Sequence, residues 1–174
     1  MAGDHRSDEV PEPELDGRDM RIGIIAARWN AEITVRLLDG VRRGLREAGV
    51  PDDHVSLDWV PGAFELPLAA QMLAESGVVD AVICIGCVIR GETTHYETVA
   101  GECAAGITRV QLDTGIPIAF SALTVENLRQ AHARSEGVGG HNVGEDGARV
   151  VIEMIALDRE IAQRSGRSQV GIAP

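Results

Sequence analysis

The sequence predicts an α/β chain: a three-layer α/β/α sandwich whose parallel sheet of about four strands is flanked by helices. Three observations carry this. Short apolar runs alternate with longer amphipathic stretches through most of the chain, the rhythm of parallel strands joined by crossover helices. The run Ala81-Val82-Ile83-Cys84-Ile85-Gly86-Cys87-Val88-Ile89 has no charged interruption, as a strand must when both of its faces are covered. Gly49 and Gly77 stand where the first two helical patterns stop.

Taken in order, residues 1–19 are polar, acidic and proline-containing, as expected of a flexible tail, and a single domain is expected over 20–164. The first strand is Arg21-Ile22-Gly23-Ile24-Ile25-Ala26-Ala27. A helix over about 31–48 follows, with Ile33, Leu37, Leu38, Val41 and Leu45 on one stripe. The second strand spans 55–60 and turns at Pro61-Gly62-Ala63 into a helix over about 64–76. The third strand ends at Ile89, and a helix extends over about 93–113. Pro117 opens a fourth strand over 117–123, tolerable at a first position that need not donate to the ladder. Thr124 is then a candidate cap for a short helix to about Arg134. The glycine-rich segment 137–144 precedes a last helix over about 145–164, and 165–174 reads as a loose tail. Four core strands, with a possible fifth from the tail, suggest a flavodoxin-like winding. No internal repeat or low-complexity block indicates a second domain.

A net charge of −11 argues against nucleic acid as a partner, since phosphate backbones call for clustered Lys and Arg. Three cysteines offer no disulfide framework and suit a reducing, cytoplasmic compartment. Cys84 and Cys87 have C-x-x-C spacing inside a strand, where they point to opposite faces, which disfavours a redox pair or metal clamp. No apolar run approaches a membrane span, and no signal-peptide core opens the chain. The histidines lack ligand spacing, so no metal is expected.

In a parallel sheet, the turns after successive strands emerge at one end, the usual ligand-binding edge. Here they are Arg28-Trp29-Asn30, Pro61-Gly62-Ala63-Phe64-Glu65 and Arg90-Gly91-Glu92-Thr93-Thr94-His95. Trp29 offers a flat wall for a planar ring, or is a packing tryptophan. Glu65 can accept hydrogen bonds from hydroxyls, or simply sit at a helix start against the dipole. Thr93 and Thr94 offer hydroxyls and amides to an anion, or cap a helix. His95 suits proton exchange near neutral pH, or bonds a backbone carbonyl. Arg134 offsets a helix dipole or reaches a phosphate.

The motifs Trp29-Asn30, Val60-Pro61-Gly62-Ala63-Phe64-Glu65-Leu66-Pro67, Val88-Ile89-Arg90-Gly91-Glu92-Thr93-Thr94-His95-Tyr96-Glu97 and Leu123-Thr124 occur in unbroken order. Together they resemble the 6,7-dimethyl-8-ribityllumazine synthase family over about 21–156. The resemblance implies condensation of 5-amino-6-ribitylaminouracil with 3,4-dihydroxy-2-butanone 4-phosphate, releasing phosphate and water, with no cofactor. By position, Trp29 would stack on the pyrimidine, and Ala63, Phe64 and Glu65 would hold the ribityl chain and ring edge. Cys87, Val88 and Ile89 would give backbone hydrogen bonds. Glu92, Thr93 and Arg134 would bind phosphate, and His95 would move protons. Phe120 would come from a neighbouring subunit, so that sites lie between protomers of a pentamer or pentamer-based assembly. Riboflavin synthase is implied as a partner. Two departures stand out: Asn142-Val143-Gly144 where the family commonly has Asn-Lys-Gly, and Phe120-Ser121-Ala122-Leu123-Thr124 where it more often has Phe-Gly-Val-Leu-Thr. They point to a weakened phosphate subsite or a specialised paralogue; the alternatives are a weak homologue that binds a lumazine or flavin, which Val143 favours slightly, and a flavin carrier. The glycine-rich segment leads us to expect a free pentamer or pair of pentamers rather than a sixty-subunit shell.

Overall fold

A computed structural model describes residues 13–166, and the outer parts of both expected tails, 1–12 and 167–174, lie outside the described residues. Four strands, β1 (Ile22–Ala27), β2 (Val55–Val60), β3 (Ala81–Ile89) and β4 (Ile118–Val125), form one parallel sheet in the order β2-β1-β3-β4. Five helices connect and flank them: α1 (Ala31–Glu47), α2 (Leu66–Glu75), α3 (His95–Thr114), α4 (Leu128–His132) and α5 (Val143–Ser165). The three-layer sandwich and its flavodoxin-like strand order are as the sequence predicts. Among the described residues no fifth strand joins the sheet.

Strand alternation divides the apolar side chains between two cores. Ile22, Ile24 and Ala26 of β1 and Ala81, Ile83, Ile85 and Cys87 of β3 face α1 and α5. Ile25, Ala27, Val82 and Cys84 face α2 and α3. Both faces of β3 are therefore covered, which is why its sequence is apolar without alternation. Each fully buried Ile or Leu contributes about 1.5–3 kcal/mol relative to exposure. The edge strand β2 alternates instead, with Val55, Leu57 and Trp59 against the core and Ser56 and Asp58 exposed. Cys84 and Cys87 lie in different cores, so their C-x-x-C spacing forms no pair.

Helices α1 and α5 meet along a seam of small residues. A Cβ on Gly44 would stand 2.8 Å from that of Ala148, and one on Gly144 would stand 2.1 Å from the Leu37 carbonyl oxygen. Any side chain there would force the helices apart. Arg43 reinforces the seam through Glu145, in an ion pair at 2.8 Å with both side chains mostly buried.

Element boundaries depart from expectation in four places. Thr124 is not a helix cap, because β4 continues to Val125 in register with Ile89. Asn127 takes that role, its side chain accepting from the Gln130 N–H at 3.0 Å. The last helix begins at Val143, two residues early, because Asn142 caps it by accepting from the Gly144 N–H at 2.9 Å. The second helix is preceded by a 3-10 turn, Ala63–Glu65, before Leu66 and Pro67 open α2. α3 starts at His95 rather than Thr93. At the amino end, Gly17 N–H donates to the Ala48 carbonyl at 2.7 Å and Leu15 packs on the core, so the expected tail is anchored from Leu15 onward.

Asn142 also anchors the glycine-rich loop. Its Nδ2 donates to the carbonyls of Arg36 at 3.0 Å and Glu136 at 2.9 Å. Glu136 N–H donates to the His141 carbonyl at 2.9 Å, closing a narrow neck whose tip carries the exposed Val138.

Candidate active site

At the carboxyl ends of β1, β2 and β3 the three predicted turns surround an open cleft of about 610 Å³, within the size range of small-molecule sites. Its first wall follows β1. The N–H groups of Arg28 and Trp29 donate to the carbonyls of Val60 and Pro61 at 2.9 and 3.3 Å, so the chain stays tied to β2 past the end of the strand. Trp29 is 73% exposed and Phe64 55% exposed, which offers apolar ring surface rather than core packing. Gly62 lies under the indole: a Cβ there would sit 3.1 Å from Trp29 Cδ1. The ring-wall reading of Trp29 thus fits the geometry better than a packing role.

Glu65 stands at the start of the helical segment and lines the cleft. One carboxylate oxygen accepts from the Gly62 N–H at 2.9 Å, fixing the turn, and the group still lines the cleft with capacity to accept from hydroxyls. Cys87, Val88 and Ile89 at the end of β3 line the cleft together with Ala63 and Phe64. Burial pushes the Cys87 thiol up to about 11, so it stays protonated at neutral pH and is a poor nucleophile.

His95 lines the cleft from the first position of α3, exposed, its N–H reaching Thr93 Oγ1 at 3.4 Å. Thr94, the residue before the helix, makes no side-chain cap bond, which leaves helix-start amides available to an acceptor. Glu92 and Thr93 lie on the exposed loop beside His95 without lining the cleft. Arg134 follows α4, with Nη1 donating to the Gln130 carbonyl at 3.1 Å, and also does not line it. Phe120 sits midway along the edge strand β4, paired with Cys84 and 39% exposed, outside the single-chain cleft. Val143 packs against the α1/α5 core at the start of α5.

Three lining residues were given no role of their own in the reading of the sequence. Thr98 and Val99 lie three and four positions after His95, on its face of α3, so helical spacing from His95 would have found them. Asn30 matters more. It has φ +56°, and among the described residues no other non-glycine has positive φ. Its Nδ2 donates to the Cys87 carbonyl at 2.8 Å. The β1–β3 ladder ends at Ile85, so the Asn30 amide continues it by a side chain. A tolerance for left-handed backbone at an asparagine after a strand was the available signal.

Among the described residues no three His, Cys, Asp or Glu side chains cluster to hold a metal ion. The arrangement provides a flat apolar wall, a strand end for hydrogen bonding, a carboxylate and an imidazole within one cleft. Such a set can hold a planar polar heterocycle with a hydroxylated chain and exchange protons with it.

Comparison with known proteins agrees with this chemistry. A family profile described as 6,7-dimethyl-8-ribityllumazine synthase matches residues 19–159. A protein from Paracidovorax citrulli (strain AAC00-1), named 6,7-dimethyl-8-ribityllumazine synthase, is 47% identical over 156 residues, covering 90% of this chain and 98% of the relative.

Proposed function

Because the chain belongs to the 6,7-dimethyl-8-ribityllumazine synthase family, we propose that the cleft at the ends of β1, β2 and β3 is the place where it makes 6,7-dimethyl-8-ribityllumazine. The enzyme is a transferase that condenses 5-amino-6-ribitylaminouracil with 3,4-dihydroxy-2-butanone 4-phosphate, releasing phosphate and water. The observation that carries the site assignment is the meeting of Trp29, Glu65 and His95 in one cleft.

In this reading an amine of the pyrimidine attacks the ketone, and loss of water gives a Schiff base. Elimination of phosphate and ring closure with loss of a second water complete the lumazine. The sixteen basic residues counted as Lys or Arg are all arginine, so no lysine side chain competes for the ketone, and the imine forms on the substrate's own nitrogen. Trp29 and Phe64 hold the ring, Glu65 accepts from the ribityl hydroxyls, and the backbone of Cys87, Val88 and Ile89 meets the pyrimidine edge. His95 moves the protons that imine formation and elimination require. The amides of Glu92 and Thr93 receive the phosphate, with Arg134 as the cation. A homologue that binds a lumazine without turnover is not favoured, since the imidazole and carboxylate both stand in the cleft. Absorbance of the product, followed with both substrates, tests the assignment; no product from folded protein would reject it.

We further read the assembly as a pentamer or pair of pentamers with sites between protomers. The support is that Phe120 is solvent-facing on an edge strand and that Arg134 lies outside the single-chain cleft. A particle near a megadalton in light scattering would overturn this. Riboflavin synthase, as consumer of the product, is the proposed partner, and co-sedimentation tests it. No helix among the described residues is long and apolar enough to cross a membrane, and the buried free thiols suit the cytoplasm we propose.

A further inference from the structure

We propose that Arg90 is a positioning residue: it clamps the loop between β3 and α3 so that His95 and the amides of Glu92 and Thr93 meet the phosphate-bearing substrate in fixed geometry. The inference rests on the functional reading above and adds to it a residue that does not line the cleft.

Arg90 directly follows β3. Alternation from Cys84 through Val88, both in the α2/α3 core, sends its side chain to the α3 side. There its Nε donates to Glu126 Oε2 at 2.7 Å, just past the end of β4. Its Nη1 donates to Glu97 Oε1 in the first turn of α3. The guanidinium lies 4.2 Å from the centre of the Tyr96 ring. Its own N–H donates to the Val125 carbonyl at 2.9 Å. One residue therefore joins the ends of two strands to the start of the helix that presents His95.

The segment between these attachments, 91–94, is exposed and has few other ties. The His95 N–H bond to Thr93 is long, and Thr94 makes no side-chain cap. The loop is therefore located by what grips its two ends, and Arg90 grips both. Its charge is already committed. Glu97 and Glu126 together outweigh one guanidinium, and the ion pairing holds the Glu97 carboxyl below the usual carboxylate range. Arg90 cannot turn to an incoming phosphate without releasing a carboxylate. The three side chains are 36%, 51% and 54% exposed, and ion pairs so exposed add little to global stability. What the cluster supplies is placement. A lysine could not reproduce it, because a point charge lacks the planar fork and the ring contact.

The test uses the full chain in its native assembly. It compares wild type with Arg90→Gln, Arg90→Lys, Glu97→Gln and the double variant Arg90→Gln/Glu97→Gln. Each is assayed with either substrate varied, and amide hydrogen exchange is followed over 91–95. The expected result for Arg90→Gln is a fall in kcat/KM for the phosphate-bearing substrate of about ten- to a hundredfold, the scale of a small misplacement. KM for the pyrimidine should stay unchanged, exchange over 91–95 should quicken, and thermal stability should hold. Glu97→Gln should move the same way by less, and the double variant should be no worse than Arg90→Gln, as expected within one network. If Glu97→Gln instead improves KM for the phosphate-bearing substrate, Arg90 is a direct phosphate ligand and the clamp is overturned. Unchanged kinetics in every variant, with or without a lower melting temperature, overturn it too. Should wild type itself lack turnover, the functional reading fails, and exchange over 91–95 still decides the clamp: no change in Arg90→Gln refutes it.

Discussion

Replacing Asn30 by alanine and by glycine separates two contributions made by one residue. The first is the hydrogen bond from its amide to the Cys87 carbonyl, at 2.8 Å and partly buried, with a net value of about 1 kcal/mol. The second is backbone conformation: φ +56°, ψ +42° is left-handed, which costs an alanine about 1–2 kcal/mol and a glycine nothing. Glycine instead adds about 0.5 kcal/mol of unfolded-chain entropy. Asn30→Gly should therefore destabilise by about 1.5 kcal/mol and Asn30→Ala by about 2.5 kcal/mol. For a domain of this size the two melting temperatures should differ by about 3 °C, with alanine lower, measured at one protomer concentration because assembly shifts the midpoint. Both variants lose the tether on the end of β3, so both should raise KM for the pyrimidine substrate. An alanine variant at least as stable as the glycine variant would refute the reasoning about strain. An unchanged KM in both would refute the role given to the Cys87 carbonyl.

Three other outcomes are expected. His95→Ala should lower turnover by about 10²–10⁴-fold, the usual scale for a lost proton shuttle, while pyrimidine binding by calorimetry stays intact; an unchanged turnover number would reject the assignment. Burial raises the Cys87 and Cys103 thiols from 9.0 to about 11, and Cys84 in the same direction. Between pH 9 and 11 the unfolded chain thus holds fewer protons than the folded one, so stability present below pH 9 is lost as pH rises, by about 1.4 kcal/mol per unit for each thiol. The chain has no lysine, so no lysine ammonium masks the thiol slope there. Unfolding midpoints from pH 8 to 11 should show this slope, and a Cys87→Ala variant with the same slope would exclude that thiol. Val143→Lys should cost about 1 kcal/mol, since it removes apolar packing and places a cation at the start of α5. It should also lower KM for the phosphate-bearing substrate, and an unmoved KM would put the phosphate beyond reach of position 143.

The sheet was legible because β3 cannot be anything else: nine apolar or small residues in a row need cover on both faces, and only a central parallel strand has it. The convergence of three turns followed from topology alone. Trp29, Glu65 and His95 each had an ordinary packing, helix-start or backbone-bonding reading, and they became legible as a set because their turns converge and their motifs resemble one family. Asn30 could not, since its importance lies in a backbone angle and in a carbonyl 57 residues away. Thr124 misled for a related reason. A threonine before polar residues reads as a cap, and only the pairing of Val125 with Ile89 shows that the strand continues. Phe120 and Arg134 mark a different limit: both lie outside the single-chain cleft, and how one surface complements another is not displayed by a linear sequence.

The neck beneath the glycine-rich loop has a practical consequence. Asn142 and the bond from Glu136 to His141 close the loop at its base, so the tip at 137–140 has little mechanical link to the helix it precedes. Lengthening a closed loop is inexpensive, about 0.6 kcal/mol for each doubling, and Val138 at the tip is 88% exposed. The tip is therefore a port for grafting. A foreign peptide inserted between Gly137 and Gly140 would be displayed outward while α5 keeps its register, and none of residues 137–140 lines the cleft.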